Sequence, residues 1–146
     1  MHGENLNRSD WNFLLGLIAG SLVLKLLLID LAALDLHFDE AQYWSWSQKL
    51  DLSYYSKGPL VAWINACTTF LFGRAEWAVR LPAWICHALA IIVLYRFSLD
   101  LWSSRDAARW SSLAFIVTPL YFTLGMVQTT DIYMLTFWLT TLWALY

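Results

Sequence analysis

Apolar runs separated by short polar breaks limit this chain more than any other feature, because an α-helix needs about 20 mainly apolar residues to cross a bilayer. The first run extends from Trp11 to Leu34, interrupted only by Lys25 and Asp30. Asp30 stands near one end, and Lys25 can extend its stem toward an interface. A second run, Trp77 to Phe97, opens with Arg80 and Pro82 and closes at Tyr95 and Arg96. The third, Trp110 to Met126, carries Pro119 in its middle, a residue that spans tolerate when neighbours satisfy the freed carbonyl. The fourth begins near Asp131 and is still apolar at Tyr146. These runs predict spans at 11–34, 77–97, 110–126 and 131–146.

Composition agrees with that pattern. Hydrophobic residues make up 60% of the chain and charged ones only 14%, against roughly half and a quarter in an average soluble domain. Ten Trp and seven Tyr fit the aromatic enrichment of membrane–water interfaces. The nine Lys and Arg are scattered and the net charge is only -2, so no nucleic-acid partner is implied. Cys67 and Cys86 stand far apart among apolar residues and read as small buried hydrophobes.

A polar stretch, Met1 to Asp10, precedes the first run. That run exceeds a signal-peptide core of roughly 7–15 residues, and no small-x-small cleavage site follows it. The expectation is therefore an uncleaved first span. Because Tyr146 falls within an apolar stretch, the sequence reads as the N-terminal portion, 1–146, of a longer membrane domain.

The loop at 35–76 is the informative region. In its first section Tyr43, Trp46 and Leu50 recur at i, i+3, i+7, the stripe of an amphipathic surface helix over 39–50. Asp39 with Gln42 fits a capping pair at its start. Residues 53–59 read as a loop. Leu60 to Phe72 is apolar but too short for an ordinary span, so an interfacial or re-entrant helix ending at Gly73 is predicted. The predicted fold class is thus all-α: a polytopic transmembrane bundle with interfacial amphipathic helices in its first outer loop.

Four spans put residues 35–76 and 127–131 on one side, and the N-terminus with 98–109 on the other. Asp39, Glu40, Lys57, Arg80 and Asp131 then share one membrane face. Which face this is does not follow from the positive-inside rule. Arg8, Arg96, Arg105 and Arg109 on one side balance Lys49, Lys57, Arg74 and Arg80 on the other.

Several of these residues could carry chemistry, and each has a structural alternative. A carboxylate such as Asp39 or Glu40, partly desolvated by aromatics, can act as a general base; either can equally cap a helix in water. Asp131 borders hydrocarbon, where an acid normally faces a bundle interior or a water-filled cavity, though it too could cap the fourth helix. Lys57, in Ser53-Tyr-Tyr-Ser-Lys-Gly-Pro-Leu60, could hold a phosphate at a turn fixed by Gly58-Pro59, or rest among lipid headgroups. Arg80 is similarly divided between anion ligand and interfacial anchor. His37 next to the acidic pair lacks a spaced ligand set, so no metal ligand is assigned. His87 reads as a packed residue making one helix–helix hydrogen bond.

Phe38-Asp-Glu-Ala-Gln-Tyr-Trp44, Tyr54-Tyr-Ser-Lys-Gly-Pro-Leu60, Trp77-Ala-Val-Arg-Leu-Pro82 and Thr130-Asp131 at the start of a span together resemble the dolichyl-phosphate-mannose–protein mannosyltransferase superfamily. Its bacterial branch includes the lipid A aminoarabinose transferases. The resemblance runs from about Leu34 to the end of the chain. It implies a GT-C membrane fold in a bacterial inner membrane, with a site facing the periplasm or lumen. It also implies a polyprenyl-phosphate-linked sugar donor and a lipid, glycan or protein acceptor. By the same resemblance Asp39 is the base on the acceptor hydroxyl, with Glu40 the second acid of the pair. Asp131 supports the donor or acceptor site, and Lys57, with Arg80, meets the lipid phosphate. Gly58 stands where the family usually has proline, which loosens the loop around Lys57. A divalent metal is compatible with this scheme but not required by it.

Two other function classes stay open at this point. Intramembrane charges also suit a transporter or flippase, although here they gather at one face and not at the mid-depth where transport sites usually lie. A chain ending at Tyr146 could also be a non-catalytic membrane fragment.

Overall fold

The computed structural model describes residues 6–146, so residues 1–5 of the N-terminal polar stretch fall outside it. The described residues form seven helices and no strand: α1 (Arg8–Leu31), α2 (Phe38–Ser47), α3 (Leu60–Phe72), α4 (Glu76–Trp102), α5 (Arg105–Val117), α6 (Pro119–Leu124) and α7 (Thr130–Leu145). Two of them, α1 and α4, are long and apolar enough to cross a membrane. At 1.5 Å per residue they reach about 36 and 40 Å. Helix α1 exposes Leu15, Val23, Leu24, Leu26 and Leu27, an apolar surface of the kind that seeks a lipid or protein partner.

Helix α4 is the hub, packing against α5, α7, α3, α1 and α2. One core cluster joins Leu14 of α1, Ala90, Ile91, Tyr95 and Leu99 of α4, and Ala108 and Phe115 of α5. A second joins Tyr43, Val61, Ala83, Ile132 and Tyr133 at the other end of α4. Small residues at 83, 90 and 108 let the backbones approach, as at membrane helix interfaces.

Polar ties hold the two ends. At the start of α1, Asp10 is fully buried and accepts from Tyr95 Oη at 2.7 Å. Arg105 lies 3.4 Å from its second oxygen, joining the N-terminus of α1 to the corner between α4 and α5. That corner is a left-handed residue, Ser103, at φ 48° and ψ 35°. At the opposite end, the close of α1 meets the starts of α2, α4 and α7 in the candidate site.

Four sequence expectations need correction. Helix α2 is capped by His37, not Asp39: His37 is extended, and His37 and Glu40 exchange bonds as a capping box. The apolar stretch 110–126 is not one helix. Proline disfavours the helical region for its predecessor, and Thr118 accordingly takes φ -67°, ψ 117° between α5 and α6. Lys25 does not reach an interface; it is 2% exposed and hydrogen-bonded to His87. Cys67 is exposed and Cys86 half-buried, because the outward face of α3 is itself apolar, with Trp63, Phe70 and Leu71 on it. Helix α3 itself begins and ends where the short apolar run predicts, and Gly73 closes it at φ 84°.

Candidate functional site

The capping box at α2 begins the site. Glu40 Oε2 accepts from His37 N at 2.9 Å, which turns the carboxylate inward instead of along the helix surface. Arg80, one turn into α4, meets it with Nε at 3.2 Å from Oε1 and Nη2 at 3.2 Å from Oε2. The same Nη2 donates to the carbonyls of Asp35 at 2.7 Å and Leu34 at 3.1 Å. Gln128 N, just before α7, donates to Glu40 Oε1 at 2.8 Å. One buried ion pair therefore ties the end of α1, the start of α2, the start of α4 and the approach to α7.

Both partners are almost fully buried, with side chains 3% and 0% exposed. A buried pair is tolerable only where its remaining donors and lone pairs are satisfied, and the Leu34, Asp35, His37 and Gln128 backbone groups do that here for the Glu40 oxygens and Arg80 Nη2. Glu76 adds a looser contact at 3.9 Å to Arg80 Nη1.

Against this knot lies a second, more open layer. Tyr43 is 1% exposed, with Trp46 at 5.6 Å between ring centroids, and it hydrogen-bonds Thr130. Burial pushes its hydroxyl above the usual tyrosine range, and the charges of Asp39 and Asp131 push it the same way against the Thr130 bond. Both carboxylates thus act on one phenol from two helices, α2 and α7. Lys57 Nζ donates to Thr130 Oγ1 at 3.2 Å, next in sequence to Asp131.

The loop that presents Lys57 is fastened from below. Tyr54 stacks on Trp46 at 4.8 Å and 14°, and its hydroxyl donates toward the carbonyls of Trp46 and Lys49. Trp63 of α3 reaches back through Nε1 to the Asp51 carbonyl at 3.1 Å. Aromatics thereby hold a loop of small and polar residues to the surface of α2 and α3.

All five residues that the sequence singles out lie at this one end of the bundle, but they divide into two groups. Glu40 and Arg80 are buried and spent on each other. Asp39 is half-buried, and Lys57 and Asp131 are exposed; neither acid has an ion-pair partner within 4 Å among the described residues. His37 Nδ1 accepts from Asp39 N at 3.4 Å, and among the described residues no group of three His, Cys, Asp or Glu is placed to hold a metal.

Sequence reasoning passed over Gln128 and named Thr130 only as part of the motif that opens the fourth span. Gln128 is fully buried and its Nε2 donates to Tyr133 Oη at 2.7 Å, linking the Glu40 carboxylate to the second core cluster. A polar run of Gln-Thr-Thr directly before an apolar helix was the available signal. Nothing in it distinguishes a buried glutamine from a solvated one.

Arranged so, the rim offers a carboxylate to accept a proton, a second carboxylate and an ammonium within reach of the same phenol and threonine. A family model described as dolichyl-phosphate-mannose-protein mannosyltransferase matches residues 56–146. Lipid A galacturonosyltransferase RgtD of Rhizobium johnstonii is 32% identical over 122 residues, covering 83% of this chain and 26% of the relative. An undecaprenyl phosphate-alpha-4-amino-4-deoxy-L-arabinose arabinosyl transferase of Photorhabdus laumondii is 33% identical over 82 residues, 56% of this chain and 15% of the relative. Its counterpart in Erwinia tasmaniensis is 33% identical over 90 residues, 62% and 16%. The chain therefore spans about a quarter or less of the length of these relatives. No solved structure matches it.

Proposed function

Because the chain belongs to the dolichyl-phosphate-mannose-protein mannosyltransferase family, we propose that it is the N-terminal part of a membrane glycosyltransferase that moves a sugar from a polyprenyl-phosphate donor to an acceptor hydroxyl. The names of the relatives, a lipid A transferase and undecaprenyl-phosphate-sugar transferases, favour a lipid acceptor, and the same reading puts the site at the periplasmic face of a bacterial inner membrane. In this reading α1, α4, the broken pair α5–α6 and α7 are crossings of a GT-C bundle, and α2 and α3 lie at its outer surface.

The observation that carries the reading is the shared rim: Lys57 donates to Thr130 beside Asp131, and the buried Tyr43 of α2, four residues after Asp39, bonds the same threonine. In the reaction, the acceptor oxygen attacks the anomeric carbon as the bond from that carbon to the phosphate oxygen breaks. The hydroxyl proton passes to Asp39, and the sugar leaves with inverted configuration at the anomeric carbon. Charge develops on the departing polyprenyl phosphate, where the Lys57 ammonium stabilises it, as preorganised cations do in other phosphate displacements. Asp131 orients donor or acceptor from the opposite side.

Glu40 and Arg80 enter as positioning residues. The Glu40 oxygens and the Arg80 Nε and Nη2 groups are taken up by each other and by four backbone groups, so their contribution is to hold the start of α2 against the approach to α7. The test is Asp39→Asn in the full-length protein, assayed with a polyprenyl-phosphate sugar and followed by lipid-product formation. Transfer should fall by at least the roughly 10²–10⁴-fold that a general base contributes, with insertion and thermal stability unchanged. Turnover at the wild-type rate removes Asp39 from the base role.

A further inference from the structure

Lys25 sits where a snorkelling lysine would not. It lies about 9 Å inside the C-terminal end of α1, 2% exposed, and its Nζ meets His87 Nδ1 at 2.8 Å. An ammonium can only donate, so Nδ1 accepts and the ring proton sits on Nε2, which is buried without a partner. The Phe122 ring lies 5.4 Å from Nζ. A cation held by a neutral imidazole and an aromatic face has no counter-charge, and Lys25 makes no ion pair among the described residues.

Ser21, one turn earlier on the same face of α1, is the second observation. It is 6% exposed and its hydroxyl is without a partner. Both side chains line a cavity of about 200 Å³ between α1 and α4, where His87 joins them and Ile18, Leu22, Trp84 and Ile85 are among the other walls. Ile85 is 51% exposed, so the cavity opens on the flank of the two helices. Its polar wall supplies an ammonium, a hydroxyl and the His87 imidazole but no carboxylate, a set that calls for an anionic oxygen. Its remaining wall is apolar, which suits a hydrocarbon chain.

We propose that the Ser21–Lys25 cavity binds the phosphate of an anionic membrane lipid, with the start of its chain along Leu22, Trp84 and Ile85. Basic pockets between spans bind lipid headgroups by this combination of charge and apolar contact, and a phosphate oxygen accepting from an ammonium makes a short, strong hydrogen bond. The inference rests on α1 and α4 being membrane crossings and not on the chemistry at Asp39, so an Asp39→Asn protein should bind lipid like the wild type.

The test uses the full-length protein, purified in detergent and stripped of lipid, then titrated separately with phosphatidylglycerol, phosphatidylcholine and inorganic phosphate. Bound lipid is counted by native mass spectrometry, and stabilisation is followed by thermal unfolding. Phosphatidylglycerol should bind and raise the melting temperature, while phosphatidylcholine and inorganic phosphate should not. Lys25→Met should weaken that binding by about tenfold or more, the loss expected of one charge-assisted hydrogen bond. Ser21→Ala, which leaves the Lys25–His87 pair intact, should weaken it several-fold and serves if the lysine variant does not fold. Equal stabilisation by inorganic phosphate would make the cavity a free-anion site and overturn the lipid assignment. Wild-type phosphatidylglycerol affinity in Ser21→Ala, or no anionic lipid bound at all, overturns the cavity itself.

Discussion

Replacing Glu40 with glutamine keeps the side-chain shape and removes the charge, which makes it the sharpest probe of the knot beneath the site. The native carboxylate accepts from His37 N at 2.9 Å, Gln128 N at 2.8 Å and the Arg80 guanidinium at 3.2 Å. A glutamine has one acceptor oxygen, and its amide nitrogen must then face at least one of those donors. An orphaned buried N–H costs about 1–3 kcal/mol. Arg80, 3% exposed at its side chain, also keeps only the looser 3.9 Å contact with Glu76 as counter-charge. Breaking a buried pair by removing one partner costs about 3–5 kcal/mol in total, and so little exposure leaves water no means of reducing that figure.

The measurement is reversible unfolding of the purified protein in mixed micelles, followed by the fluorescence of its tryptophans. Glu40→Gln should lower the unfolding free energy by about 3–5 kcal/mol. Arg80→Gln should lower it comparably, since it also frees the Leu34 and Asp35 carbonyls. The double variant should cost clearly less than the sum, with a coupling of about 1–3 kcal/mol. A Glu40→Gln loss under about 1 kcal/mol, the range of a solvent-exposed pair, would refute the claim that this ion pair ties the four elements together.

Two further substitutions test the backbone. Gly125→Ala would drive a Cβ into the His87 ring and within 2.7 Å of Lys25 Nζ. That overpacking should cost about 1–3 kcal/mol and lower the melting temperature, and an unchanged melting temperature would show that the pair moves freely. Ser103 holds a left-handed conformation at φ 48° that costs a non-glycine residue about 1–2 kcal/mol. Ser103→Gly should therefore raise stability in the same unfolding assay, by about 0.5–1 kcal/mol after glycine's own entropy cost.

What could be read from the sequence, and what could not, divides by the range of the interaction. Helix α3 was legible because both its ends are local: an apolar run of 13 residues and a glycine that takes a positive φ. The start of α7 was legible for the same reason. The break at Thr118 was a local signal given the wrong weight, since a proline in mid-span can either be accommodated or end the helix. The pairing of Glu40 with Arg80 spans 40 residues, and that of Lys25 with His87 spans 62. Each of those four residues taken alone reads as an acid for catalysis, an anchor, a snorkelling cation or a core histidine.

Placing charges on one membrane face is a matter of counting crossings, and the sequence supports it. Deciding which charges remain available for a ligand requires knowing which have already found each other. Asp39 and Glu40 make the point most directly, because adjacent residues on a helix point about 100° apart. The capping box draws Glu40 into the protein, and that rotation leaves Asp39 facing the rim beside Tyr43, where Asp131 approaches from α7. One capping box thus buries Glu40 and leaves its neighbour nearer the surface, and a sequence motif that names both as a pair conceals the division.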